Sequence, residues 1–157
     1  MFIEQKVPDL DAVVAPIGGG GLLSGAATVA GGRDLGITVV GAEPFAVDDA
    51  YRSLRSGVRQ PGVESPVTLA DGLLTGIGAH AFTILMAHDV DVVRVTEAAI
   101  LEAASFLLLR MKLVVEPSGA ASLAAVRTER ERFQNRRVGV IISGGNTDFS
   151  WLAAANA

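Results

Sequence analysis

The chain has 157 residues, with 13 basic and 17 acidic side chains, a formal net charge of −4 and no cysteine. The absence of a basic patch argues against nucleic-acid binding, and the absence of cysteine excludes disulfides, thiolate metal sites and cysteine nucleophiles. No apolar run approaches the ~18 residues of a membrane span, and no signal-peptide pattern begins the chain. We therefore expect one soluble, cytoplasmic domain over residues 1–157, without nucleic-acid or membrane partners.

Short apolar runs alternate with helical segments along the chain. The apolar runs predict buried strands at residues 11–17, 37–42, 91–95 and 137–142. The segments between them predict helices at residues 22–30, 44–57, 80–88, 97–112 and from 118 onward. Thr96 and Ser118 are predicted N-caps, and Arg110 and Lys112 are expected in the last turn of the helix after Thr96. This alternation indicates an α/β fold with an open, mostly parallel sheet flanked by helices.

The strongest local signal is the run of four glycines, Gly18 to Gly21, between the first strand and the first helix. Glycines let the backbone approach an anion closely, and the amides of Gly19 to Leu22 can converge on one phosphate. No lysine follows, so the run is not a P-loop.

Three interpretations of this loop remain open on the residues alone. The first is a glycine turn that binds nothing. The second is a Rossmann-like NAD(P) site, because Gly19-x-Gly21-x-x-Ser24 is close to a dinucleotide motif and Glu43 stands where a ribose ligand is expected. The third is the phosphate of a mononucleotide-like cofactor such as pyridoxal phosphate (PLP).

A second signal, SGGNTD at residues 143–148, follows the last predicted strand. The carboxyl ends of parallel strands share one edge of the sheet, so Ser143 is expected to face the same crevice as the glycine loop. Alone, this segment is an ordinary strand-to-helix junction. Beside four glycines it indicates a binding site.

Five motifs occur in a characteristic order: GGGGLLSG (18–25), GAEP (41–44), ADGL (70–73), VVEPSGAASLAA (114–125) and SGGNTD (143–148). In this order they resemble the C-terminal part of PLP-dependent threonine dehydratases and serine racemases, which have the tryptophan synthase β-like fold. The resemblance runs from about Val7 to Asp148. It implies a lyase of amino-acid metabolism that deaminates serine or threonine to a 2-oxo acid, with racemisation as a second activity.

The resemblance also assigns cofactor-binding residues. It matches Ser143 to the serine that hydrogen-bonds the pyridine nitrogen, Glu116 to a glutamate close to the cofactor, and Gly72 to a backbone position beside it. Because a neutral hydroxyl does not hold the ring protonated as a carboxylate would, the ring is a weaker electron sink, which suits β-elimination. On residues alone, Glu116 is equally a helix-capping carboxylate, and Asp71 is a brace for its own turn. The resemblance also matches the loop whose amides hold the cofactor phosphate to Gly18, Gly19, Gly20, Gly21 and Leu22.

A metal site is implied by the same resemblance. Some members bind Mg²⁺ or Ca²⁺ through a glutamate, a backbone carbonyl and an aspartate at the spacing of Glu43, Val47 and Asp49. Hard cations prefer such oxygen ligands. The alternative is the solvated acidic start of a helix.

The chain departs from the family in its lysines. Neither Lys6 nor Lys112 matches the lysine that binds the cofactor covalently, which lies in an N-terminal part that we expect to be absent. We therefore expect the chain alone to be inactive. It is interpreted as half of a split enzyme that pairs with an N-terminal chain or forms a homo-oligomer, as a truncated remnant, or as a non-catalytic anion-binding or interaction module.

Overall fold

A computed structural model describes residues 9–32 and 36–156 of the chain. Lys6 and the start of the matched region at Val7 lie outside the described residues. No helix within the described ranges is long and apolar enough to cross a membrane.

The predicted α/β sheet is confirmed, and all of its strand pairs are parallel. The strands are β1 Ala12–Pro16, β2 Thr38–Pro44, β3 Asp91–Val95 and β4 Val138–Val140. Their spatial order is β3-β2-β1-β4. The central strand β1 is buried along its whole length, as its apolar sequence predicts. The last strand is shorter than predicted, because its register with β1 ends at the Val14–Val140 pair.

Helices cover both faces of the sheet. The helices are α1 Gly21–Gly32, α2 Asp49–Ser56, α3 Ala79–Ala87, α4 Glu97–Leu109, α5 Pro117–Thr128 and the short α6 Arg130–Phe133. One core cluster packs α1, α2 and α3 on one face, and the other packs α4 and α5 on the opposite face. Short 3₁₀ turns occupy Phe45–Val47, Asp71–Leu73 and Ser150–Asn156.

The ends of α4 confirm one prediction and correct another. Thr96 is the N-cap, and its side chain accepts a hydrogen bond from the Ala99 amide at 3.1 Å. The helix ends at Leu109, so the prediction that Arg110 and Lys112 lie in its last turn is wrong. Lys112 has a φ of 59°, a left-handed conformation that no helix continues through.

The start of α5 also differs from the prediction. Ser118 is not the N-cap, because the helix begins at Pro117 and Glu116 holds the capping position. Proline suits the first helical position, since its fixed φ is helical and its missing N–H would have had no partner there. Ser118 therefore lies inside the first turn, where its hydroxyl is free to bind another segment.

Strand order determines where a ligand can bind. The chain leaves β1 through α1 toward β2 on one side, whereas β4 joins β1 on the other side. Crevices in open parallel sheets form at such a switch point, at the carboxyl ends of the strands. In this chain the loops at that point are the glycine run after β1 and the SGGNTD segment after β4.

Candidate functional site

The glycine loop is the first wall of the site. Gly20 has a φ of 88°, and a Cβ added there would lie 2.7 Å from the Ala81 Cβ, so only glycine fits without movement. The Gly20 carbonyl accepts the first helical bond of α1, from the Ser24 amide at 2.9 Å. The amides of Gly21, Leu22 and Leu23 precede that bond, so the helix itself provides no acceptors for them.

The open side of this loop fits an anion. A Cβ added at Gly19 or Gly21 would meet nothing within 4 Å, so the backbone faces free space at both positions. The first turn of α1 contains no acidic side chain that would neutralise its positive end. The loop thus offers several amides and a helix dipole to a phosphate-sized group.

The ADGL turn packs directly against the glycine loop. A Cβ on Gly18 would lie 3.2 Å from the Leu73 Cα and 3.5 Å from the Gly72 carbonyl oxygen. The Gly72 amide donates to the Asp71 carboxylate and to the Ser118 hydroxyl, both at 2.9 Å. The structure therefore confirms that Asp71 braces its own turn, and it brings Gly72 next to Gly18.

Glu116 lies between the ADGL turn and the SGGNTD segment. Although it is the N-cap residue of α5, its side chain makes no capping bond, so the helix-capping interpretation of its carboxylate is wrong. One carboxylate oxygen accepts from the Asn146 amide at 3.0 Å. The other carboxylate oxygen lies close to Gly144 and would be 3.5 Å from a Cβ on Gly72. Glycine is favoured at position 144 because its φ is 84°, in the left-handed region.

Ser143 stands at the carboxyl end of β4, as expected from the sequence. Its carbonyl oxygen lies so close to Gly119 of α5 that a Cβ there would approach it to 1.9 Å. Ser143 is half-buried, and its hydroxyl has no hydrogen-bond partner among the described residues. The hydroxyl is thus available to a ligand, and its contact with a pyridine nitrogen stays a prediction.

A cavity of about 430 Å³ lies between the ADGL turn and the SGGNTD segment, with Asp71, Glu116, Asn146 and Trp151 among its lining residues. The glycine loop and Ser143 do not line it. The contacts described above, and not this cavity, bring together the glycine loop, Gly72, Glu116 and the SGGNTD segment at one edge of the sheet.

The predicted metal ligands form a separate, buried cluster. Glu43 is 2% exposed and Asp49 is 3% exposed, so the alternative of a solvated acidic helix start is wrong. The two Glu43 oxygens accept from the amides of Ala50 at 3.0 Å and Tyr51 at 2.8 Å. Asp49 accepts from the Ile77 amide at 2.7 Å.

Three or more acidic or histidine side chains do not gather around any point in the described part of the chain. A cation at Glu43, Val47 and Asp49 would therefore depend on two carboxylates and a backbone carbonyl, and it stays a prediction. The same geometry argues against the dinucleotide interpretation. Both Glu43 oxygens are directed at the start of α2, which makes this carboxylate unsuitable as a ribose ligand.

Arg94 contributes to this cluster and was missed by the sequence analysis. Its guanidinium lies 4.6 Å from the centre of the Phe45 ring and 4.0 Å from that of Tyr51, and it forms an ion pair with Asp48 at 3.0 Å. These contacts hold the segment between β2 and α2 against β3. The available signal was one cation between the valines of the short strand run DVVRV.

Burial raises the pKa of Glu43 from an ordinary 4.5 to about 8, against the lowering effect of the Tyr51 and Ala50 amides. The folded protein therefore holds this proton more tightly than the unfolded chain. The resulting stabilisation is complete below about pH 4.5 and is lost as the pH rises through about 8. We expect the free energy of unfolding to fall by up to about 1.4 kcal/mol per pH unit between about pH 5 and about pH 8.

Urea unfolding at a series of pH values, with a chelator present, checks this expectation. Glu43→Gln carries no titrating proton and should show a flatter profile. Glu64→Gln, at an exposed glutamate, is the control and should follow the unmodified chain. Parallel profiles for all three proteins would contradict the assignment of the pH dependence to Glu43.

The fold and site define a class of protein: an open parallel α/β domain with an anion-binding glycine loop at its switch point. Residues 2–144 match the family described as pyridoxal-phosphate dependent enzyme. The chain belongs to this family and has its tryptophan synthase β-like fold.

Named relatives agree with this assignment. Serine racemase from Dictyostelium discoideum is 44% identical over 156 residues, covering 96% of this chain and 48% of its own length. An L-threo-3-hydroxyaspartate ammonia-lyase from Pseudomonas sp is 38% identical over 146 residues, covering 92% of this chain and 46% of its own length. The chain thus spans about half the length of the relatives it matches.

Solved structures give the same result. The Dictyostelium discoideum serine racemase structure has a TM-score of 0.84 at 42% identity, covering 93% of this chain and 47% of that one. A threonine deaminase structure from T.th. has a TM-score of 0.84 at 45% identity, covering 90% of this chain and 52% of that one.

Proposed function

We propose that this chain is the cofactor-binding part of a PLP-dependent enzyme that converts a hydroxyamino acid, such as serine or threonine, into a 2-oxo acid and ammonia. Racemisation of serine is the second candidate activity, supported by the 44% identity to a protein named serine racemase. The observation that carries the proposal is the convergence of the glycine loop, Gly72, Glu116 and Ser143 at the carboxyl ends of β1 and β4.

Each group has a role that its surroundings support. The amides of Gly18 to Leu22 would bind the cofactor phosphate at the start of α1. The Ser143 hydroxyl, which has no hydrogen-bond partner among the described residues, would meet the pyridine nitrogen. Glu116 would hold the loop after Ser143 through the Asn146 amide. When bound, the pyridoxal group supplies the electron-withdrawing ring that makes the α-hydrogen of an amino acid acidic.

The proposal assigns the cofactor-binding lysine to another polypeptide segment. Lys112 is exposed, lies beyond the end of α4 and donates to the Leu109 carbonyl at 2.9 Å. The relatives are about twice as long as this chain, which leaves room for that segment in a longer form or in a companion chain. Exposed apolar side chains at the end of α4 and after it support a covering partner: Phe106, Leu109, Met111, Leu113 and Val114.

Two further parts of the proposal are independent of the reaction. A Mg²⁺ or Ca²⁺ ion at Glu43, Val47 and Asp49 would compete with the Glu43 proton, so it would stabilise the chain more at about pH 8 than at about pH 6. The cytoplasm is the proposed compartment, consistent with a cysteine-free chain.

Borohydride trapping in native extract tests the catalytic proposal. The reagent fixes the bond between an endogenous cofactor and its lysine, after which the chain is captured and each co-purifying polypeptide is weighed by mass spectrometry. We expect a phosphopyridoxyl adduct on a longer form of the chain or on a companion. An extract without borohydride is the control.

Two results would contradict the proposal. Capture of the chain without an adduct on any associated polypeptide would contradict the proposal that the chain forms part of a PLP-dependent catalyst. Deamination of serine at enzymatic rates by the purified chain with added PLP would show that no second segment is needed.

A further inference from the structure

The Ser118 hydroxyl makes the contacts that link α5 to the ADGL turn. Ser118 is 4% exposed. Its hydroxyl oxygen accepts from the Gly72 amide at 2.9 Å, and the hydroxyl donates to the Asp71 carboxylate at an oxygen–oxygen distance of 3.3 Å. A Cβ on Gly72 would lie only 3.0 Å from this oxygen, so the ADGL turn packs directly against the Ser118 side chain.

The opposite side of the same turn supports the glycine loop. The Leu73 Cα and the Gly72 carbonyl lie within 3.2 and 3.5 Å of where a Gly18 Cβ would be. The turn is thus held between the Ser118 hydroxyl and the first glycine of the anion-binding run. A displacement of the turn would move the wall against which Gly18 packs.

We propose that Ser118 is a positioning residue for the glycine loop, acting through Gly72 rather than by touching the ligand. Its hydroxyl holds the ADGL turn at the distance from α5 that leaves the amides of Gly18 to Leu22 convergent. This inference rests on the proposed function, because it concerns the affinity of the loop for a phosphorylated pyridine.

The chain contains a matched control for this role. Ser122 lies one turn further along α5 and is fully buried, yet its hydroxyl has no partner within the described part of the chain. Ser118→Ala and Ser122→Ala therefore remove the same atom from the same helix. Only the first removes hydrogen bonds that reach the site.

The probe is pyridoxine 5′-phosphate, which has no aldehyde and so forms no covalent bond with lysine. Its affinity is measured by calorimetry for the full chain and its variants, and inorganic phosphate is titrated in parallel. We expect Ser118→Ala to weaken both affinities about five-fold, the effect of one or two lost hydrogen bonds. Ser118→Thr, which keeps the hydroxyl, and Ser122→Ala should both bind as the unmodified chain does.

Thermal unfolding of each variant separates positioning from general stability. If Ser118→Ala does not fold, the isosteric pair Ser118→Thr and Ser118→Val gives the same comparison, with and without the hydroxyl. Equal affinity for Ser118→Ala and Ser122→Ala, or for the Thr and Val variants, would overturn the positioning role and leave the proposed function intact. Failure of the unmodified chain to bind pyridoxine 5′-phosphate would overturn both.

Discussion

Replacing Gly20 by aspartate should abolish binding of pyridoxine 5′-phosphate, with an affinity loss of about 100-fold or more. Three effects act together at this position. The φ of 88° strains any side chain, and the added Cβ would lie 2.7 Å from the Ala81 Cβ. The new carboxylate would also be directed toward the buried side chains of Ala81, Ile77 and Leu85. A charge without a partner is costly there, so the loop must move and its amides lose their arrangement around the phosphate.

Two further variants separate these effects. Gly20→Ala keeps the backbone strain and the contact with Ala81 but adds no charge. Its affinity for pyridoxine 5′-phosphate should therefore lie between the affinities of Gly20→Asp and the unmodified chain. Gly32→Asp adds the same charge at the far end of α1, where a Cβ meets nothing within 4 Å, and should bind normally. Tight binding by Gly20→Asp would show that the phosphate does not lie at this loop.

The sheet and the glycine loop could be predicted because their signals are local. Each strand is a short apolar run bounded by glycine, proline or a polar residue, and parallel sheets buried on both faces require such runs. The glycine run follows β1 directly, so its place at the carboxyl end was fixed once the strand was recognised. The capping error at Ser118 came from preferring a common capping residue over Pro117, which marks the first helical position.

The interior of the site could not be predicted because its contacts join distant segments. The partner of Asp49 is the Ile77 amide, 28 residues away, and the partner of Ser118 is the Gly72 amide, 46 residues away. Nothing near Asp49 in the sequence indicates that its carboxylate is buried against a loop. The sequence does indicate which residues carry chemistry, but only the fold shows which oxygens already have partners.

Gly119→Ala should destabilise the chain by about 3 kcal/mol, although alanine is the better helix former by about 1 kcal/mol. Gly119 lies in α5, where a Cβ would approach the Ser143 carbonyl oxygen to 1.9 Å and the Val115 side chain to 3.0 Å. Backbone atoms cannot rotate away as a flexible side chain can, so the segment after β4 must shift. That shift would move Ser143 from its place beside the other site residues.

Urea unfolding measures the loss of stability, and tryptophan fluorescence reports the movement of the segment after β4. Trp151 is the single tryptophan of the chain, and its indole donates to the Thr147 hydroxyl at 2.9 Å, within the segment that follows Ser143. Gly25→Ala is the control, because Gly25 is a helical glycine of α1 with nothing within 4 Å of an added Cβ. We expect it to be stabilised by up to about 1 kcal/mol, with unchanged fluorescence. If Gly119→Ala were as stable as Gly25→Ala, with the same fluorescence, α5 would not set the position of Ser143, and the close packing of helix and loop would have to be rejected.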